Sequence, residues 1–244
     1  MVERKYKHPR ILEALCEVQF ATPEDWNTAC YGILMAAVRD MGFEQSEEIP
    51  AFALQVDVRQ KETLVLPTPV LMRYKHTNGK NLLHLGPNSF TVNQLAPYTG
   101  WHEFKPYIVE CLRRLHEALP SIQPSKLILR YINQFAFTGM QTDMAEWFSV
   151  YPVSPAIGQR KGPFLLKQDF FCTGDDVLTV TTGLAYVPPS DGTAVLLDLE
   201  YRTPEFLWDL LLIDSILERS HDAVYEAFEA CITEKTRGLL EEVR

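Results

Sequence analysis

The stretch from His84 to Phe104 constrains this chain more than any other. It ends one strand pattern at Leu85, turns through Gly86-Pro87-Asn88, and lays down Phe90-Thr91-Val92. It then opens a helix through Pro97-Tyr98-Thr99-Gly100-Trp101. Glycine and proline punctuate the backbone by fixing or freeing φ, so strand, tight turn, strand and helix must follow within a short span. This is a folding signature, and it names no chemistry.

The strands on either side follow the same logic. Residues 11–21 alternate, with Leu12, Ala14, Cys16, Val18 and Phe20 on one face and Glu13, Glu17 and Gln19 on the other, which predicts a half-buried strand. Thr22-Pro23-Glu24-Asp25 has a hydroxyl N-cap, a proline at the first helical position and acids in the first turn, and predicts a helix from there to about Asp40, stopped near Gly42. Residues 53–92 read as strands and turns, with Asn78-Gly79 as a hairpin signal between Val70–His76 and Asn81–Leu85. A helix with apolar Trp101, Phe104, Ile108, Leu112 and Leu115 follows, to about Leu119.

Pro120 to Pro124 marks an internal boundary, and beyond it the order recurs. A strand at 127–137 is followed by a short helix at 143–148 and strands at 164–172, 177–187 and 194–202. Thr203-Pro204-Glu205 then opens a long helical tail that breaks at Ser220-His221-Asp222. Residues 1–122 and 123–244 thus each read strand, helix, antiparallel strands, helix. The expected architecture is α+β: two similar halves join edge to edge in an extended, curved antiparallel sheet, with helices packed on one face.

Composition narrows the functional classes. Apolar residues make up 46% of 244, which is ordinary for a globular chain. A formal net charge of -9 argues against a broad phosphate-binding surface and therefore against nucleic acid as partner. Cys16, Cys30, Cys111, Cys172 and Cys231 are scattered and contain no CxxC, which suits buried thiols in a reducing compartment. No apolar run approaches membrane-spanning length, and the first residues carry charge where a signal core would be apolar, so a cytoplasmic protein is expected.

Several segments together resemble one family. Tyr6-Lys7-His8-Pro9-Arg10 through Phe20, Gly86-Pro87-Asn88 through Tyr98 and Trp101, Leu129-Arg130-Tyr131-Ile132-Asn133, and His221 through Phe228 to Ile232-Thr233 resemble signatures of a sporadically distributed bacterial family of about this length. Arg10 departs from the second proline expected there. The resemblance brings no established activity. The family's patchy distribution implies, by association only, an antitoxin-like or defence module.

The candidate chemistry lies on the sheet. Alternate positions place Glu13, Glu17, Asp57, Arg59, Arg73, Lys75, Arg130, Lys167, Asp169, Asp198, Glu200 and Arg202 on one polar face of mixed sign. Charge complementarity there would recognise a partner protein, while cross-strand ion pairing would explain the same face without one. Arg130, between Leu129 and Tyr131, suits a paired and partly buried role. Asp198 and Glu200 with Glu13 or Glu17 form an alternative set for a divalent metal in a hydrolase. Asn88, Asn93, Tyr98 and Trp101 are candidates for lining a small-molecule cleft, and Asn133 joins the candidate binding residues. None of the six histidines sits in a catalytic motif, and no phosphate loop or GxSxG elbow is present.

The leading expectation is a non-enzymatic protein-binding or regulatory subunit without catalytic residues, cofactor or metal, whose partner is another protein or a second copy of itself. The rivals are a small-molecule-binding domain in which the sheet grips a long helix beside Tyr98 and Trp101, and the metal-dependent hydrolase.

Overall fold

A computed structural model describes residues 4–49, 52–57, 62–67, 70–137, 143–153, 163–186, 193–204, 206 and 208–242. Alternating sequences become strands. They are β1 (Ile11–Phe20), β2 (Phe43–Ile49), β3 (Phe52–Asp57), β4 (Glu62–Pro67), β5 (Leu71–His76), β6 (Asn81–Leu85), β7 (Ser89–Leu95), β8 (Pro124–Phe137), β9 (Leu165–Phe171), β10 (Val177–Tyr186) and β11 (Thr193–Arg202). The helices are α1 (Ala29–Val38), α2 (Trp101–Ala118), α3 (Met144–Trp147), α4 (Leu210–Cys231) and α5 (Glu234–Leu240).

Nine of the strands form one antiparallel sheet in the order β2-β5-β6-β7-β1-β8-β11-β10-β9. β1 and β8 meet at its centre. In each half the strand that opens the half pairs with the strand just before the long helix: β1 with β7 before α2, and β8 with β11 before α4. The expected α+β class with an extended antiparallel sheet is therefore observed. Among the described residues, β3 and β4 pair only with each other. Asp57, in β3, is accordingly outside the nine-stranded sheet, and Arg59 lies outside the described residues.

One face of the sheet supplies the core. Ala14, Cys16, Val18 and Phe20 of β1, Leu127 and Leu129 of β8, and Leu197, Leu199 and Tyr201 of β11 are buried in one cluster with Phe104, Ile108, Leu112 and Leu115 of α2 and Ile213 and Leu217 of α4. The opposite face carries the polar partners of the alternation.

Three local expectations shift. The first helix begins at Ala29, not at Thr22, because Asn27 Oδ1 accepts from Ala29 N at 2.9 Å and Pro23 O accepts from Trp26 N at 3.0 Å, which folds residues 23–27 into turns. The last long helix begins at Leu210, after Thr203 has turned back to β8, where its hydroxyl accepts from Leu127 N at 2.9 Å. No break occurs at Ser220: its hydroxyl is buried inside α4 and donates to Ile216 O at 2.7 Å. The break lies instead after Cys231, where Thr233 caps α5. β2 was not anticipated, since Glu44, Glu47 and Glu48 mask its alternation at the sheet edge.

Candidate functional site

The polar sheet face is real, and it is largely paired within itself. Arg130 Nε and Nη2 donate to the two oxygens of Asp198 at 2.8 and 2.5 Å, a bidentate fork across β8 and β11, with Glu200 3.8 Å from Nη1. Arg202 reaches Glu200 at 3.4 Å and Asp169 at 3.7 Å. Glu17 accepts from Gln19 at 2.8 Å, and Glu13 from Asn93 at 2.5 Å. Arg73 Nη1 and Lys75 Nζ share Glu47 at 3.0 and 2.7 Å, and the two cations hold that carboxyl below its usual range.

The same cluster perturbs His84. Arg73 Nε donates to His84 Nε2 at 3.0 Å. Burial, and secondarily the guanidinium, push the imidazole down to about 4. It is therefore a neutral acceptor at neutral pH.

The carboxylates proposed for a metal are each occupied by side chains of this chain. Among the described residues, no group of three His, Cys, Asp or Glu is placed to hold a cation. Asn93 also departs from expectation: it lies under the polar face, 3% exposed and bonded to Glu13, on the side of the sheet away from Tyr98 and Trp101. Asn88 sits in the turn, where its carbonyl accepts from Phe20 N at 3.1 Å. Neither lines the cavity on the helical side of the sheet.

A cleft does exist, on the helical side. A cavity of about 580 Å³ opens between the N-terminal residues 4–11, the start of α2, the sheet and the C-terminal half of α4. Tyr131 and Asn133 of β8 and Leu199 of β11 form its floor, because the alternation that turns Arg130 outward turns these residues inward. Tyr98 and Trp101 line its walls together with His221, Val224 and Phe228 of α4.

The walls are braced by ring contacts. Trp101 stacks on His221 with centroids 4.3 Å apart and planes within 6°. Tyr98 meets Tyr131 edge-on at 5.6 Å, and their hydroxyls are 2.9 Å apart. Such contacts contribute about 0.5–1.5 kcal/mol each beyond area burial and fix the rotamers. Trp101 Nε1 donates to Glu218 at 3.3 Å, and Lys105 Nζ binds the same carboxylate at 2.6 Å. The Lys105 bond holds Glu218 below its ordinary range, while burial lowers His221. The site thus combines an ionised, paired carboxylate at its edge with a neutral imidazole in its wall.

Gly100 makes this entry to α2 possible. Its φ of 106° is open to glycine and strained for other residues, and a Cβ would sit 2.9 Å from His102 Nδ1. Residues 4–10 cross the cavity as a strap tied down by Lys7 N to Glu241 O at 3.0 Å, His8 N to Leu240 O at 3.1 Å, and Tyr6 Oη to Glu229 at 2.5 Å.

Of the sequence-derived candidates, Tyr98, Trp101 and Asn133 meet at this cavity, whereas Glu13, Glu17, Arg73, Asn93, Arg130, Asp198 and Glu200 lie on the other face. His221, Tyr131 and Phe228 were missed as site residues, because nothing local in the sequence tells a histidine in a helix that it will stack on a tryptophan more than a hundred residues away. No protein-family model and no curated protein matches the chain.

Proposed function

We propose that this protein binds a small organic molecule in the cavity between the strap, α2 and α4. The observation that carries the reading is the cavity itself: about 580 Å³, floored by Tyr131 and Leu199, and walled by rings already locked in place. Pre-formed apolar concavities with a few polar groups are the usual form of small-molecule sites, since a rigid wall spares the ordering entropy of binding. The rival reading, a protein partner held by the mixed-charge face, is less well supported. The charges that would recognise a partner are engaged with one another, and separating them would offset what they gained.

The test is a titration with N-phenyl-1-naphthylamine, an uncharged probe whose fluorescence rises in apolar surroundings. Saturable binding at one site is expected. Val224→Trp fills the cavity and should abolish the signal while circular dichroism and the melting temperature hold. Trp101→Ala should weaken binding about tenfold by removing one stacked wall. Binding that does not saturate, or that survives Val224→Trp unchanged, refutes the proposal.

A further inference from the structure

The strap contributes charge as well as closure. Arg4, Lys5 and Arg10 all line the cavity. Arg4 pairs with Glu242 at 3.5 Å, but Lys5 and Arg10 make no ion pair or side-chain hydrogen bond among the described residues. For an arginine that is out of pattern in this chain. Every other described arginine except Arg39 meets a carboxylate.

The acids around the cavity are already taken. Glu218 binds Lys105 at 2.6 Å, and Glu229 binds Arg237 at 2.9 Å. Glu241 faces Lys7 at 3.4 Å and His8 at 3.8 Å. Two uncommitted cations therefore stand beside an aromatic cavity in a chain of net charge -9. The start of α2 adds to the same field: it has no side-chain cap, and Thr99, Gly100 and Trp101 border the cavity, where the helix dipole favours negative charge.

We infer that the occupant of this cavity is an organic anion: a planar or apolar body held between Trp101, Tyr131 and Phe228, with a carboxylate or phosphate head met by Arg10 and Lys5. This rests on the cavity being a binding site, and it adds the class of ligand. The division of labour is physical. The rings supply affinity through apolar burial and stacking, which do not distinguish charge. Arg10 contributes a planar fork matched to an oxyanion, and Lys5 a second point charge.

The experiment displaces N-phenyl-1-naphthylamine with 2-naphthoate, 2-naphthyl phosphate and uncharged 2-naphthol, which share one ring system and differ in head group. One or both anions should displace the probe about tenfold more effectively than the naphthol, with the advantage shrinking as salt rises. The better of the two assigns the head as carboxylate or phosphate. In the double variant Lys5→Gln, Arg10→Gln that advantage should vanish, so that the anions and the naphthol displace the probe equally within the same variant. Naphthol equal to both anions, or an anion preference that survives the double variant, overturns the inference and leaves the cavity reading standing. Failure of the probe itself to bind overturns both.

Discussion

Lowering the pH from 7 to 5 should destabilise this protein through His84, and the size of the effect follows from its surroundings. The imidazole lies between Arg73 on β5, which donates to it at 3.0 Å, and Thr91 opposite it on β7, while Glu47 of β2 pairs with Arg73 and Lys75 one strand further out. Protonation removes the acceptor from Arg73 and sets two cations in contact. The folded-state value of about 4, against 6.5 for an unfolded chain, means the unfolded state binds the proton first. Stability linked to His84 is thus fully present above pH 6.5 and falls as pH drops towards the folded value. The linkage amounts to about 2 kcal/mol at pH 5 and about 3 kcal/mol at pH 4. Urea denaturation of the wild type and of His84→Gln at pH 7, 6 and 5 isolates it, because glutamine accepts from Arg73 without titrating and the carboxylates cancel in the difference. The variant should lose about 2 kcal/mol less than the wild type between pH 7 and 5. Equal losses would refute the neutral, Arg73-bonded imidazole.

Further perturbations bear on the scaffold around the site. Asp176, 1% exposed, accepts from Tyr201 Oη and from Arg219 Nε at 2.8 Å, tying α4 to β11. Asp176→Ala strands a buried tyrosine hydroxyl and should lower stability by about 2 kcal/mol in urea titrations. Arg130→Ala removes the bidentate partner of Asp198 and leaves Glu200, two residues along β11, with Arg202 alone. It should destabilise by about 1 kcal/mol, since the arginine is a third exposed and solvent screens the pair, without altering naphthylamine binding, because it lies on the opposite face from the cavity. Gly100→Ala forces a side chain into a backbone conformation with φ of 106°, and should lower stability by about 1–3 kcal/mol and weaken probe binding through the displaced Trp101.

What could be read from the sequence was whatever local chemistry decides. Asn78-Gly79 marked the β5–β6 hairpin because a positive φ, 70° at Gly79, is open to few residues. The alternation in β1, β8 and β11 placed every charged candidate in these strands on the correct face, and the paired role of Arg130 followed from it. The same rule, applied to Phe90 and Val92 as inward residues, would have turned Asn93 outward and removed it from the cleft. Elsewhere a tertiary partner overruled a local signal. Thr22-Pro23 is a sound helix start, but Asn27 captures the next amide and delays the helix. Ser220 looks like a cap, yet its hydroxyl is satisfied within the helix. The cavity depended on contacts that sequence spacing does not encode: the strap docking on α5, and His221 arriving under Trp101.

The most direct test of the account is a crystal structure with N-phenyl-1-naphthylamine bound. The binding account predicts the probe's rings inside the cavity, against Tyr131, Trp101 and Phe228. An empty cavity, with the probe lying instead on the exposed Phe170 and Phe171 of β9, would contradict it.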